Sequence, residues 1–245
     1  MLRNIKLTIE YDGTNYAGWQ RQPSAITIQG EIERAIEKIT GEETEIIGAS
    51  RTDAGVHAKG YVANFHTSSK ISIEKFTGAI NSKLPLDIVI LESVDVATDF
   101  HSRYNSTGKR YSYSILNRRE AVAVGRNYIY HHKWLLDTKA MKEAAEYFIG
   151  THDFSAYKNL GSSAKTSVRT ITELHITKDE DLIKIYIAAD GFLYNMVRII
   201  VGSLIRVGEG KIKPNEIKSI IESKERSKAG KSVPPGGLCL EEVFY

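Results

Sequence analysis

The sequence predicts an α+β fold built as two successive mixed halves, and three observations predict it. Ile5, Leu7, Ile9 and Tyr11 alternate with Lys6, Thr8 and Glu10, the period of a half-buried strand. Ile28, Ile32, Ala35, Ile36 and Ile39 recur at helical spacing. A similar succession of strands and helices then restarts after a polar stretch near residues 97–108, although no clear internal sequence repeat accompanies it. The expected halves are residues 1–105 and 106–245, with a substrate cleft between them.

In order, the first strand ends at Asp12-Gly13, and a helix follows with Thr27 as N-cap and Gly41 just past its end. A polar turn around Asp53 leads to a strand at 61–66, a helix at 72–81 and an apolar strand at 88–95. The second half opens with a strand at 110–116, where Tyr111, Tyr113 and Ile115 share a face, and a strand at 127–131 follows. Asp137 caps a helix with the stripe Met141, Ala144, Ala145 and Phe148, which Gly150 should end. Strands at 170–177 and 182–189 precede an apolar helix over 192–207. Pro214 suits the start of a last helix, and 238–244 reads as a closing strand. Gly161–Thr166 is the expected mobile loop, and Val233–Gly237 is a turn that positions Leu238.

A chain of 245 residues with 42% hydrophobic and 26% charged residues is long enough to bury a sizeable core. No run of about 18 apolar residues occurs, which argues against a membrane span and for a cytoplasmic protein. The one cysteine, Cys239, can form neither an internal disulfide nor a cysteine metal cluster. The histidines include no HExxH, and adjacent His131 and His132 have poor geometry for sharing an ion, so no metal is expected. Gly208-Glu-Gly-Lys211 lacks the pattern of a phosphate-binding loop, and no GxSxG elbow is present.

A formal charge of only +3 does not by itself demand a nucleic acid. Its distribution is more telling. Arg103, Lys109, Arg110, Arg118, Arg119 and Arg126 face a single acid, Glu120, and interleave with Tyr104, Tyr111 and Tyr113. Basic groups track phosphates and aromatic faces take unpaired bases, so this segment divides evenly between an RNA surface and a strand with one solvated basic face. Lys211–Lys231, where bases mix with Ser and Glu, reads as a solvated face.

The chemical centre is Arg51-Thr-Asp-Ala-Gly55, in which Asp53 sits in a tight turn beside a guanidinium. Taken alone, an Asp in a Gly-containing turn is an ordinary structural feature. Its neighbours raise the functional reading, because Arg51 would keep a nucleophilic carboxylate ionised. His57 reads as a structural hydrogen-bonder near the turn.

These residues carry a resemblance. YDGTNYAGWQRQP, TIQGEIERAI, RTDAGVHA, FHSRYNSTGKRYSY, GFLYNMVRIIVGSL and GLCLEEVFY together span nearly the whole chain, which resembles the bacterial tRNA pseudouridine synthases of the TruA family. The resemblance implies paired ferredoxin-like or RRM-like halves, with central antiparallel sheets packed around a catalytic cleft. It implies an isomerase that detaches uracil from C1′ and rejoins it through C5, at positions 38, 39 and 40 of the tRNA anticodon stem-loop. Atoms are conserved, so no cofactor is implied. The family's catalytic aspartate falls on Asp53 and its substrate-stacking tyrosine on Tyr111. Its aspartate-pairing arginine falls on Arg198, and a charge in the apolar run MVRIIVGSL independently calls for a carboxylate. Arg51 would stand at the entrance and Leu238 would form an apolar wall. The implied assembly is a homodimer, with one tRNA touching both subunits. Two other readings stay open: a noncatalytic RNA-binding or chaperone protein that uses the tyrosine-rich strand without the Asp53 turn, and, ranked last, a metal-dependent nuclease.

Overall fold

The computed structural model describes residues 2–161 and 164–245; Ser162 and Ser163, in the middle of the expected mobile loop, lie outside the described residues. The chain divides into two compact units, residues 2–107 with Cys239–Tyr245, and Gly108–Leu238. In chain order the first unit contains β1 (Arg3–Tyr11), α1 (Ile28–Thr40), β2 (Ile47–Gly48), β3 (His57–Thr67), α2 (Ile73–Asn81) and β4 (Ile88–Val96). The second contains β5 (Gly108–Leu116), β6 (Tyr130–His131), α3 (Thr138–Glu146), β7 (Gly150–Asp153), β8 (Val168–Asp179), β9 (Leu182–Ala189), α4 (Met196–Gly208) and α5 (Glu216–Ser223). The chain closes with β10 (Leu238–Phe244). The predicted α+β class holds: within each unit the strand pairing is mostly antiparallel and helices pack on the strands.

In the first unit β1 runs between β3 and β4, antiparallel to both, and β2 adds to β3 through Ile47 and Gly48. β10 joins the other side of β3 in parallel, with Cys239 opposite His57 and Leu240 opposite Ala58. Ile5, Leu7 and Ile9 are fully buried, as are Ile32 and Ile36 of α1 and Phe76 and Ile80 of α2. The Phe65 and Phe76 rings meet edge-on at 6.0 Å, joining sheet to helix. α1 starts and stops where predicted. Thr27 accepts the Gly30 N–H, and Gly41 adopts φ 74° while its N–H bonds the Glu37 carbonyl.

In the second unit β5, β9, β8 and β7 form an antiparallel run in that order, and β6 adds in parallel to β5. Asp137 caps α3 as expected, its carboxylate accepting the Lys139 and Ala140 N–H groups at 2.9 and 3.0 Å. Three expectations change. Gly150 does not stop α3, which ends at Glu146; with φ 100° it instead opens β7. α4 begins at Met196 and not at Phe192, because Asn195 is held at φ 62°, outside the right-handed helical region. The strand expected at 127–131 shrinks to Tyr130–His131 behind a single 3₁₀ turn.

Candidate active site

In the first unit, Asp53 opens a β-turn in which the Val56 N–H bonds the Asp53 carbonyl at 3.2 Å and Gly55 takes φ 75°. An L side chain rarely adopts that angle, so the glycine read from sequence is required by the turn. Arg51 is exposed, Thr52 is buried and Asp53 is half-buried, so the carboxylate rides on a fixed floor while solvent still reaches it.

That floor is held mainly by close backbone approach. The Trp19 N–H bonds the Thr52 carbonyl at 3.1 Å, and the Thr52 hydroxyl meets the Tyr11 hydroxyl at 2.8 Å. A Cβ on Gly18, itself at φ 93°, would lie 2.5 Å from the Thr52 oxygen, and one on Gly13 would lie 2.0 Å from the Val56 oxygen. No side chain fits at either position. Beneath, the Trp19 and Tyr61 rings stack at 3.9 Å with Tyr11 at 5.8 Å from Tyr61, and the Tyr61 hydroxyl donates to the Ser50 carbonyl. His57 is buried and accepts the Gly13 N–H through Nδ1 at 3.1 Å, the structural role read for it. The same nitrogen lies 3.1 Å from Asp12 Oδ1, whose carboxylate accepts from the Thr14 N–H.

In the second unit, Tyr111 lies on β5 opposite Ile187 of β9, is 6% exposed and meets Phe192 edge-on at 5.1 Å. Tyr113 on the same face is fully buried, donates to the Pro234 carbonyl at 2.7 Å and has its phenol pushed well above its usual range by burial. Arg198 projects from the first turn of α4 and is gripped by residue 233. Its Nε donates to the Val233 carbonyl at 2.7 Å, and the Val233 N–H returns to the Arg198 carbonyl at 3.3 Å. Its NH1 lies 3.4 Å from Asn195 Oδ1, which also accepts from Asn159 at 3.0 Å and Ser232 at 3.1 Å. Leu238 is buried at the start of β10.

The segment that carries Val233 crosses α4 closely. A Cβ on Gly202 would sit 1.9 Å from the Lys231 oxygen, and the Gly230 N–H bonds the Ser203 hydroxyl at 2.8 Å. Arg226 ties the same segment down through Asn159 and the Gly230 carbonyl, and burial lowers its pKa. Sequence reading missed these supports. Their only trace was the glycines, whose partners lie far off in sequence.

Asp53 and Arg51 therefore share one loop of the first unit, while Tyr111 and Arg198 belong to the second. The basic segment is partly spent on structure: Arg110 is bonded to Glu173 at 2.8 Å, and Arg118 lies 3.8 Å from Asp181. Among the described residues no group of three or more His, Cys, Asp or Glu is placed to hold a metal ion, and no helix is long and apolar enough to cross a membrane.

Comparison with known proteins gives one consistent answer. The family model described as tRNA pseudouridine synthase matches residues 7–105 and 144–245. The chain is 62% identical to tRNA pseudouridine synthase A 2 of Clostridium perfringens, over all of both chains. It is 56% identical to tRNA pseudouridine synthase A of Clostridium kluyveri and 57% to that of Acetivibrio thermocellus, again over the full length of each.

Proposed function

The chain belongs to the tRNA pseudouridine synthase family and is an isomerase of that kind, and from that premise we propose that it acts on uridines 38, 39 and 40 of the anticodon stem-loop with Asp53 as its nucleophile. The observation that carries this reading is the Asp53 turn itself. A half-buried carboxylate is fixed by backbone packing at Gly13 and Gly18, next to an exposed arginine, within the matched region. A fixed nucleophile contributes through positioning, since the entropy of placing it has been met in folding.

In the proposed reaction the C1′–N1 bond breaks, uracil turns, and C5 bonds to C1′. The C5 proton leaves and N1 takes one up, so atoms balance without a redox partner. A target base must leave its stack, at a cost of roughly a few kcal/mol. Tyr111 offsets part of that cost by stacking on the uracil. Arg198 supplies positive charge for the aspartate's chemistry, Leu238 walls the base, and Arg51 holds phosphate or fills the vacated stack. The protein works in the cytoplasm as a homodimer on tRNA, and shape readout would let one site serve neighbouring positions.

Full-length tRNA transcripts carrying C5-tritiated uridine at one position only test the assignment. Tritium release is expected from position 38, 39 or 40 and from no other. Release confined to uridines outside the anticodon arm would overturn it. Sedimentation with and without tRNA checks the dimer, which a monomer active at full rate would contradict.

A further inference from the structure

Tyr104 stands out among the exposed aromatics because the backbone beneath it is pinned while its ring is left in water. Ser102, two residues earlier, is fully buried and held on three sides. Its N–H donates to Asn64 Oδ1 at 2.9 Å, its hydroxyl donates to the Ile47 carbonyl, and its carbonyl accepts the Tyr245 hydroxyl at 2.7 Å. On the other side, the Thr107 N–H bonds the Phe244 carbonyl at 2.9 Å. Between these anchors the chain closes on itself. His101 Nδ1 accepts the N–H groups of Arg103 and Tyr104 at 3.2 and 3.3 Å, and the His101 N–H donates to Asn105 Oδ1 at 2.6 Å.

The result is a stiff tip carrying an aromatic ring and a cation. Tyr104 is 77% exposed, with the His101 ring at 4.1 Å and the Arg103 guanidinium 5.9 Å from its centroid. A ring that exposed is not covered on both faces, and it adds nothing to the core. Single exposed aromatics are common, and this one is carried on a backbone fixed at both ends. Pre-ordering matters for binding because a rigid platform loses little entropy when a base settles on it. A free aromatic face next to a guanidinium is the chemistry that takes an unpaired nucleobase and its phosphate.

We propose that Tyr104 and Arg103 form an accessory tRNA-binding site, separate from the residues assigned to the reaction, where an unpaired tRNA base stacks on Tyr104 and Arg103 meets the adjoining phosphate. The site rests on tRNA being the substrate. It is tested by tRNA binding to wild type, Tyr104→Ala, Tyr104→Phe and Arg103→Ala, with 2-aminopurine placed in turn at each unpaired position. Tyr104→Ala is expected to weaken binding about 5- to 150-fold and to abolish quenching at one probe position, the range for losing a stacking aromatic. Tyr104→Phe, which keeps the ring, should bind within about twofold of wild type. Arg103→Ala should lower the salt slope by about one. Wild type and Tyr104→Ala binding alike, with the same quenching pattern, would overturn the site alone. A wild type that binds no tRNA would overturn the substrate reading and this site with it. A Tyr104→Ala variant that changes sedimentation but not tRNA binding would also overturn the site, and would assign the ring to self-association.

Discussion

The Asp53 turn and the Arg198 mount hold their charged groups by different means. Around Asp53 the restraint is mostly shape: Gly13 and Gly18 let backbone meet backbone where no Cβ fits, over stacked Trp19 and Tyr61. Around Arg198 it is largely polar, with Val233 gripping the guanidinium and Asn195 collecting three donors. The first arrangement should therefore tolerate loss of a hydrogen bond better than gain of a methyl group. The second has a close approach of its own at Gly202 but should in addition be sensitive to loss of a hydrogen bond.

The largest structural effect should come from Gly18→Ala, which places a Cβ 2.5 Å from the Thr52 oxygen at φ 93°. Left-handed strain of about 1–2 kcal/mol adds to overpacking of about 1–3 kcal/mol. Urea melts should register that loss, whereas Tyr11→Phe, which removes one hydroxyl contact to Thr52, should cost only about 0.5–1.5 kcal/mol. Equal costs would break the contrast.

On the polar side, Arg198→Lys keeps the charge but removes the Nε–H that Val233 accepts. Losing a hydrogen bond made by a charged group costs about 1.5–3 kcal/mol, so turnover should fall about 10- to 150-fold if that bond aims the guanidinium. Single-turnover rates at saturating tRNA measure it, and a wild-type rate would show that the grip on Val233 does not matter.

Asn195 sharpens the comparison, because its backbone angle and its amide can be separated. Asn195→Gly accepts φ 62° but loses the amide that gathers Asn159, Ser232 and Arg198. It should slow turnover while costing less stability than Asn195→Ala, which adds left-handed strain of about 1–2 kcal/mol. Paired melts and rates of the two variants decide the point.

These same features mark how far the sequence could be read. Thr27, Gly41 and Asp137 act within a few residues of themselves, so all three caps and the helix ends they bound were legible. Gly55 was legible as a turn residue for the same reason. Asn195 was not, since its left-handed angle goes with partners at positions 159 and 232, and the apolar run therefore looked helical from Phe192 onward. Gly150 resembled a helix stop but serves β7, whose pairing with β8 is non-local. The parallel contact of β10 with β3 joins residues some 180 positions apart, and the clash-limited spots at Gly13, Gly18 and Gly202 likewise depend on distant backbone. Local chemistry was visible; what presses against it was not.

The smallest effect concerns pH. Asp153 accepts the Ser155 hydroxyl at 2.7 Å and lies 2.9 Å from Lys224, and these contacts, the serine first, hold its carboxyl below the usual range. A lowered folded value means stability that is present above the ordinary carboxylate value near 4 and is lost as pH falls through the folded one. Asp153→Asn should flatten the acid limb of a stability–pH curve below about pH 4 by well under 1 kcal/mol, since the pair is partly exposed. An unchanged limb would remove Asp153 from the polar pins of the second unit.

The most direct measurement compares wild type with Asp53→Asn on one tRNA, recording filter binding and C5-tritium release together. Removing a single negative charge from the preformed turn should leave binding equal or tighter and cut release by at least about 10³-fold, the scale of losing a nucleophile. Release at the wild-type rate by Asp53→Asn, with tRNA bound, would contradict the central claim that this carboxylate performs the isomerisation.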